Sequence, residues 1–457
     1  MRINIEKLNE DIKQFPQVFP VTPDMKMTFD GVSRLVMLDR YTFKDTEKKT
    51  LGVGDLVLLT VKYDPKFPAR GYGTVEMIIP TRNQAVVKLD EEFHGTAGTD
   101  MVTVSIDEIE KPLEIYYEQI AKRVAKGLSE VETDLDKRAQ AFIDFYDELV
   151  SLNFVPAGRV LYGAGSETDV TYFNCYVMPY PKDSREGIAE HRGKVMEIMS
   201  RGGGVGTNGS TLRPRNALAR GVNGKSSGAV SWLNDIASLT HLVEQGGSRR
   251  GAQMIMLAVW HPDIIEFIIS KMQNPNILRH IINTTKDEQI KRLAQEKLKF
   301  EPLSDDERTA LEYALGHAND FGDFGTSEYT NKLLEDGGRY TVNNPDFLTG
   351  ANISVAITKE FMQAVENDEE FALMFPDVEN YDEREMRYYN EHWHEVGDVR
   401  EWPLPVKTYR TIRARDLWDL INICATYSAE PGVFFIDTAN EMTNAKAYGQ
   451  KVVATNP

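Results

Sequence analysis

Residues Arg201–Arg215 read RGGGVGTNGSTLRPR, and the fold turns on whether this stretch is a nucleotide-binding turn. Gly204, Gly206 and Gly209 fit G-x-G-x-x-G, the spacing of a dinucleotide fingerprint. That fingerprint needs a strand entering the glycine turn and a helix leaving it, because the helix N-terminus must face the pyrophosphate. Here the entering segment, GIAEHRGKVMEIMSR (187–201), reads as an amphipathic helix, and STLRPR on the leaving side is no helix start. No acidic residue closes a following strand at the required distance. Context therefore excludes a doubly wound dinucleotide fold. What survives is that several glycines let backbone come close to something, with Arg213, Arg215 and Arg220 nearby. Taken alone, the stretch is accounted for by a tight connection packed against its own domain.

It does not stand alone. NGKSSGAVSW (223–232) is a second small-residue turn, and EQGGSRRGAQMIML (244–257) opens with paired glycines and paired arginines. One Arg pair is usually a solvated face. Three flexible, donor-rich stretches in close succession favour recognition of a phosphorylated ligand, and so nucleotide binding. Upstream, TYFNCYVMP (171–179) sets Cys175 in an apolar, aromatic strand beside Phe173 and Tyr176. A buried cysteine is more often an inert small hydrophobe than a reagent, and local reading leaves Cys175 open. Cys424 fits the inert reading, since Leu417, Leu420, Ile421 and Cys424 form one helical face.

Around this core the texture changes twice. SRLVMLDRYTF (33–43), GDLVLLTVKYD (54–64), GYGTVEMIIP (71–80) and NQAVVKLDEE (83–92) read as strands of a small antiparallel barrel or sandwich. PLEIYYEQIAKRVAKGL (112–128) and DLDKRAQAFIDFYDELVSLNF (134–154) carry apolar residues at helical spacing. From about Pro156 short apolar segments, Gly-rich turns and helices alternate, as in an α/β domain. There is no internal repeat. The polar stretch 286–344 and the acidic, aromatic stretch 366–401 read as decoration of that domain. Near the end of the sequence, Lys451–Thr455 reads as a short strand with Val452, Val453 and Ala454 buried.

Composition bounds the function. The 457 residues carry 52 Lys+Arg against 70 Asp+Glu, a net charge of −18. A surface that acidic repels nucleic acid and anionic membranes, so neither is expected as a partner. Two cysteines cannot build a disulfide framework, and MRINIEKLNEDIKQFPQVFP (1–20) lacks the apolar core of a signal peptide. No apolar run approaches the ~20 residues that span a bilayer. The expected location is the cytoplasm, where cysteine chemistry is catalytic. His392 and His394 in EHWHE would share a strand face, but in so acidic a segment they read as exposed, with no third ligand at a partner spacing. No metal site is expected. His261 in WHPDIIEFI reads as the neighbour of a helix cap. Nucleophile elbow, Walker A and paired-carboxylate patterns do not occur.

In order along the chain, RVLYGAG (159–165), FNCY (173–176), GGGVGTNGSTLRPR (202–215), GKSSGAVSW (224–232), GGSRRGAQMIML (246–257), WHPDIIEFI (260–268), NISVAIT (352–358), AEPGVFFIDTAN (429–440) and ATNP (454–457) resemble the catalytic subunit of ribonucleotide reductase. AEPGVFFIDTAN and the leader VMLDRYTFKDTEKKTLGVGDLVLLTV (36–61) are most similar to the adenosylcobalamin-dependent class II branch. The resemblance implies the first half of a ten-stranded α/β barrel over 154–457, with the rising limb of its central finger loop. A helical segment over 113–153 and a β-rich domain over 1–112 precede it. It makes Cys175 one of the thiol pair that supplies reducing equivalents, which suits a two-electron reduction ending in a disulfide. Gly204 would meet the substrate through its backbone, as would Val160, which replaces the hydroxyl residue common at its position. Asn174 and Asn456 would also contact the ribonucleotide, Asn456 through its sugar. Asp183 and Ser184 would take the nucleoside of a dNTP or ATP effector, with Arg213 and Arg220 near its phosphates. Gly247, Ser248, Arg249, Arg250 and Gly251 would belong to the loop that carries effector identity to the substrate, a two-site coupling.

In that family Cys-Gly-Glu, holding the radical cysteine and the general base, follows the TNP of residues 455–457. The resemblance thus implies ribonucleoside-diphosphate reduction to deoxyribonucleotides for DNA synthesis, by a chain inactive until a complementary C-terminal polypeptide or splicing supplies Cys-Gly-Glu. It further implies adenosylcobalamin, a thioredoxin-type reductant and a homodimer. Two other readings stay open: a class I large subunit served by a radical-generating small subunit, and a non-enzymatic nucleotide-binding half-reductase.

Overall fold

The computed structural model describes residues 3–64, 68–219, 224–243, 251–321 and 324–457, and among them the chain divides into two compact units. The first holds residues up to Asn174 together with Ser200–Gly203. Its sheet is antiparallel, with strands Leu56–Lys62, Ala69–Ile79, Gln84–Leu89 and Met101–Ser105 paired in chain order. Alternation sets the register: Val57, Leu59, Val75, Ala85 and Val87 point into one small core. Helices Tyr117–Ser129 and Leu135–Val150 follow, the first burying Ile120, Ala121, Val124 and Ala125 along one stripe.

Residues 33–43 correct one expectation. They are not a strand: helix Gly31–Val36 runs into a π-helical turn, Met37–Tyr41, which buries Met37 and Leu38. Four consecutive apolar residues, Leu35–Leu38, carry no period of two, and such a run suits either element. Tertiary contacts decide for the helix, because the fully buried Arg123 guanidinium donates to the carbonyl of Tyr41 at 3.0 Å. The same guanidinium donates to the carbonyls of Leu161, Tyr162 and Ala164, and to both oxygens of buried Glu114 at 2.7 and 3.0 Å.

The second unit holds Cys175–Met199 and most of the chain from Gly204 to Pro457. It is built on five parallel strands: Cys175–Val177, Gly204–Asn208, Gln253–Ala258, Asn352–Ile357 and Gly432–Phe435. Each pairs with the one before it in the chain. This is the open α/β half-barrel that the sequence implies. The three inner strands are buried on both faces, as the near-continuous apolar runs MIMLA and ISVAI require. Helices return the chain between strands, and Arg185–Ser200 buries Ile188, His191, Val195 and Met199 at helical spacing. The two edge strands leave Val177, Val433 and Phe435 exposed.

Two further expectations meet the coordinates here. Lys451–Thr455 pairs with no strand; it is an extended segment in which only Ala454 is fully buried. The histidines of EHWHE lie on helix Glu383–Val396, where residues two apart diverge, and it is Trp393 between them that is buried.

Removing one partner of the buried Arg123–Glu114 pair leaves an uncompensated charge. Arg123→Met is expected to cost about 3–5 kcal/mol, and Arg123→Met with Glu114→Leu distinctly less, read from urea unfolding followed by circular dichroism.

Candidate active site

The centre of the glycine-rich stretch is not a turn. Gly204–Asn208 is a fully buried strand, and its alternate residues have separate tasks. Val205 and Thr207 face the helices: Val205 packs with Met178, Val195, Met199, Ile236 and Leu239, and the Thr207 hydroxyl meets His191 Nε2 at 3.0 Å. Gly204, Gly206 and Asn208 face the other way, against Val453–Pro457. A side chain on Gly206 would begin 1.9 Å from the carbonyl oxygen of Thr455. One on Gly204 would begin 3.0 Å from the Pro457 ring and 3.1 Å from Cys175 Sγ. Asn208 donates its amide to the carbonyl of Val453 at 2.7 Å, while its own oxygen accepts from the Ser210 amide and hydroxyl. Asn440 holds the segment from its other end, exchanging two hydrogen bonds with the backbone of Val452 at 2.7 and 2.9 Å.

Cys175 pairs in register with Gly204, so its thiol stands at the bare end of this face, partly exposed and 3.9 Å from the carbonyl of Pro457. The arrangement therefore brings together Cys175, Gly204 and the backbone that carries Asn456, whose side chain is exposed. Cys424 is excluded from chemistry: it is buried on the face formed by Leu417, Leu420 and Ile421, and burial pushes its thiol up to about 12. Gly206, Asn208, Asn440 and Met256 complete the face and escape a search for reactive side chains. Their signal is geometric, a bare residue at every second position of a strand.

A second cluster lies at the start of helix Arg185–Ser200. Asp183 accepts the Arg213 amide at 3.0 Å, Arg213 Nε at 2.7 Å and the Tyr389 hydroxyl at 2.7 Å. Burial, then the Asp183 carboxylate, raise the Tyr389 phenol well above its ordinary value, which keeps it a donor. Ser184 accepts the Gly187 amide. Asp183, Ser184 and Arg213 line a cleft of about 390 Å³ with Arg185, Lys225 and Trp232. Three cations against one spent carboxylate, beside an indole ring, suit an anionic ligand with a flat base. Tyr389 carried no mark in the sequence, and Trp232 entered only as the end of the turn NGKSSGAVSW.

Of the remaining candidates, Val160 and Asn174 belong to the first unit. Val160 spends its amide on Ala157 and its carbonyl on Ala164, while the buried side-chain oxygen of Asn174 has no partner among the described residues. Arg220, Gly247, Ser248, Arg249 and Arg250 lie outside the described residues; Gly251, at the edge of that loop, packs against Met199. Among the described residues no three His, Cys, Asp or Glu side chains converge to hold a metal ion. His261 donates Nε2–H to the carbonyl of Leu212 and accepts the Asp263 amide at Nδ1, so it braces the cap of helix Ile264–Ser270.

The family model described as ribonucleotide reductase, barrel domain, matches residues 173–457, and that described as ribonucleotide reductase, all-alpha domain, matches residues 107–169. A vitamin B12-dependent ribonucleoside-diphosphate reductase of Thermoplasma acidophilum is 25% identical over 454 residues, 98% of this chain and 44% of its own length. One of Mycobacterium tuberculosis is 36% identical over 132 residues, 29% of this chain and 19% of its own. A ribonucleoside-diphosphate reductase subunit alpha of Chlamydia muridarum is 30% identical over 199 residues, 42% of this chain and 18% of its own. The chain thus spans less than half the length of these relatives.

Two measurements test the geometry. Gly206→Ala is expected to expel the 453–457 segment at a cost of about 1–3 kcal/mol, seen as faster amide exchange there and faster alkylation of Cys175. Burial holds His191 down to about 4, below its unfolded value near 6.5. The folded state then binds fewer protons, so the contribution of His191 is complete above pH 6.5 and is lost as pH falls towards 4. His191→Gln is expected to flatten the urea midpoint over that window by up to about 3 kcal/mol relative to the unsubstituted chain.

Proposed function

The chain belongs to the ribonucleotide reductase large-subunit family, and from that premise we propose that it is the N-terminal part of an adenosylcobalamin-dependent ribonucleoside-diphosphate reductase. The observation that carries the reading is the placement of the Cys175 thiol on a side-chain-free strand face that backbone can approach closely. Reduction of a ribonucleotide replaces the 2′-hydroxyl by hydrogen, releases it as water and converts two thiols to one disulfide. Cys175 supplies one thiol. The second thiol, the radical cysteine and the general base come from Cys-Gly-Glu and later segments beyond residue 457, in the same or a second polypeptide. Exposed Val177, Val433 and Phe435 on the two edge strands support a missing half-sheet as the surface that covers them.

Substrate binding falls to the backbone of Gly204, to Asn174, whose buried oxygen is without a partner among the described residues, and to Asn456. Val160 would serve only where its helix opens, since both its backbone groups are spent. The cleft at Asp183, Ser184 and Arg213 takes the nucleoside triphosphate effector, with Arg213, Arg185 and Lys225 as counter-charges. Arg220 and the loop from Gly247 to Gly251 would link it to the substrate. A homodimer, a thioredoxin-type reductant and a cytoplasmic location belong to the same proposal. No helix among the described residues is long and apolar enough to cross a membrane.

When bound, adenosylcobalamin would supply the radical by cleavage of its Co–C bond. His191 and His261 are not free to ligate cobalt, being buried and already hydrogen-bonded to Thr207 and Leu212. Its binding groups are assigned to no residue of this chain.

The reading is tested by mixing this chain with a polypeptide that begins at Cys-Gly-Glu, adding a nucleoside diphosphate, a dithiol and adenosylcobalamin, and measuring deoxynucleotide. Product is expected only with both polypeptides and the cofactor, and Cys175→Ser should leave under about 1% of the rate. Product that needs a metal-loaded small subunit instead would replace the class II assignment by class I. Separately, Arg213→Ala is expected to weaken dNTP binding to this chain about tenfold or more by calorimetry, since a charge-assisted contact is lost.

A further inference from the structure

A cleft of the second unit, about 590 Å³, has no part in the chemistry above. It lies between helix Ile264–Ser270, helix Glu288–Lys297 and the segment around Tyr409, and its size is that of a small-molecule site. Its charged groups are almost all matched. Arg215 pairs with Glu266, Arg292 with Glu296 at 3.2 Å, and Arg410 with Asp287. The Asp263 carboxylate accepts the amides of Arg215 and Ala229. Lys297 is the exception. It is only 9% exposed, it meets no carboxylate within ion-pair distance among the described residues, and its ammonium donates to a single carbonyl, that of Asn344 at 3.1 Å. Tyr409, on the same wall, holds a buried hydroxyl with no hydrogen-bond partner among the described residues.

A buried ammonium with donors to spare and an orphaned hydroxyl are each costly. Together they have the composition of a site for one anionic group: two ammonium N–H bonds not spent on Asn344, and one unspent O–H. The neighbouring amides of Gln289 and Asn343 and the apolar surfaces of Leu293 and Phe347 would accommodate an uncharged remainder. We propose that this cleft is a second ligand site, distinct from the Asp183 cleft, for a small molecule bearing one oxyanion group such as a phosphomonoester, anchored by Lys297 and Tyr409. The two clefts lie on either side of one strap: Arg213 lines the first and Arg215 the second.

Burial alone lowers the Lys297 ammonium to about 8, so the charge that attracts the ligand grows as pH falls through that value. Sulfate, whose own charge is constant there, is the suitable first probe. The experiment is calorimetric titration of the full 457-residue chain with sulfate and with ribose 5-phosphate at pH 7 and pH 9. Saturable binding is expected for at least one probe, weaker at pH 9. It should fall about tenfold or more in Lys297→Met, fall by a smaller factor in Tyr409→Phe, and persist in Arg213→Ala. Tighter binding of ribose 5-phosphate would assign the site to an organic phosphate, and equal binding to the free oxyanion. Absence of saturable binding, or binding that Tyr409→Phe and Lys297→Met leave unchanged while Arg213→Ala abolishes it, overturns the proposal. Tyr409→Phe deletes one oxygen atom and keeps the test available should Lys297→Met not fold.

Discussion

The second unit depends on a contact that no side chain could survive. The carbonyl oxygen of Thr455 occupies the position where a β-carbon on Gly206 would stand, 1.9 Å away. Because that face of the strand is bare, an extended segment can lie against the sheet without belonging to it. Asn208 and Asn440 then fix the segment by hydrogen bonds to the carbonyls and amide of Val452 and Val453. Pro457 and Cys175 meet only as a result. The glycines are thus selected by steric exclusion rather than by flexibility, the opposite of what a glycine-rich string usually suggests.

Charge is handled by one rule with one departure. Arg123 and Glu114 are both fully buried, and each is surrounded by further hydrogen-bonding groups, which a dry ion pair needs to offset its desolvation. Asp183 follows the same logic with Arg213 and Tyr389, leaving the cations of its cleft in excess. Lys297 departs from it: desolvated and answered by one neutral carbonyl. Its position contrasts with that of every arginine around it, each of which has found a carboxylate.

Much of this was legible in the residues. The inner strands announce themselves as apolar runs bounded by turns, and the stripe Ile188–His191–Val195–Met199 marks its helix unambiguously. Cys424 was readable as inert from the company it keeps. Two segments were not legible for the same reason: the runs Leu35–Leu38 and Val452–Ala454 are apolar without a period, and what they become is decided by distant groups, Arg123 in one case, Asn208 and Asn440 in the other. The role of the Gly204–Asn208 strand was hidden more deeply, because glycine turns and glycine strands share a spelling and only the partner backbone tells them apart. The bond of Tyr389 to Asp183 and the place of Trp232 in the cleft were invisible because both join residues that are far apart in the chain.

The sheet order has a consequence for how the unit is built. Cys175 and Pro457 are separated by 282 residues, and closing a loop of that length in one event would cost on the order of 5 kcal/mol in chain entropy beyond the constant term. The chain never has to do so. Each strand of the sheet joins the one that precedes it, so the growing sheet shortens the remaining loop at every step. A nascent chain assembles the strands in order of synthesis, leaving the groove above the glycines open until residues 452–457 are made. The thiol stays uncovered on that side until this segment arrives.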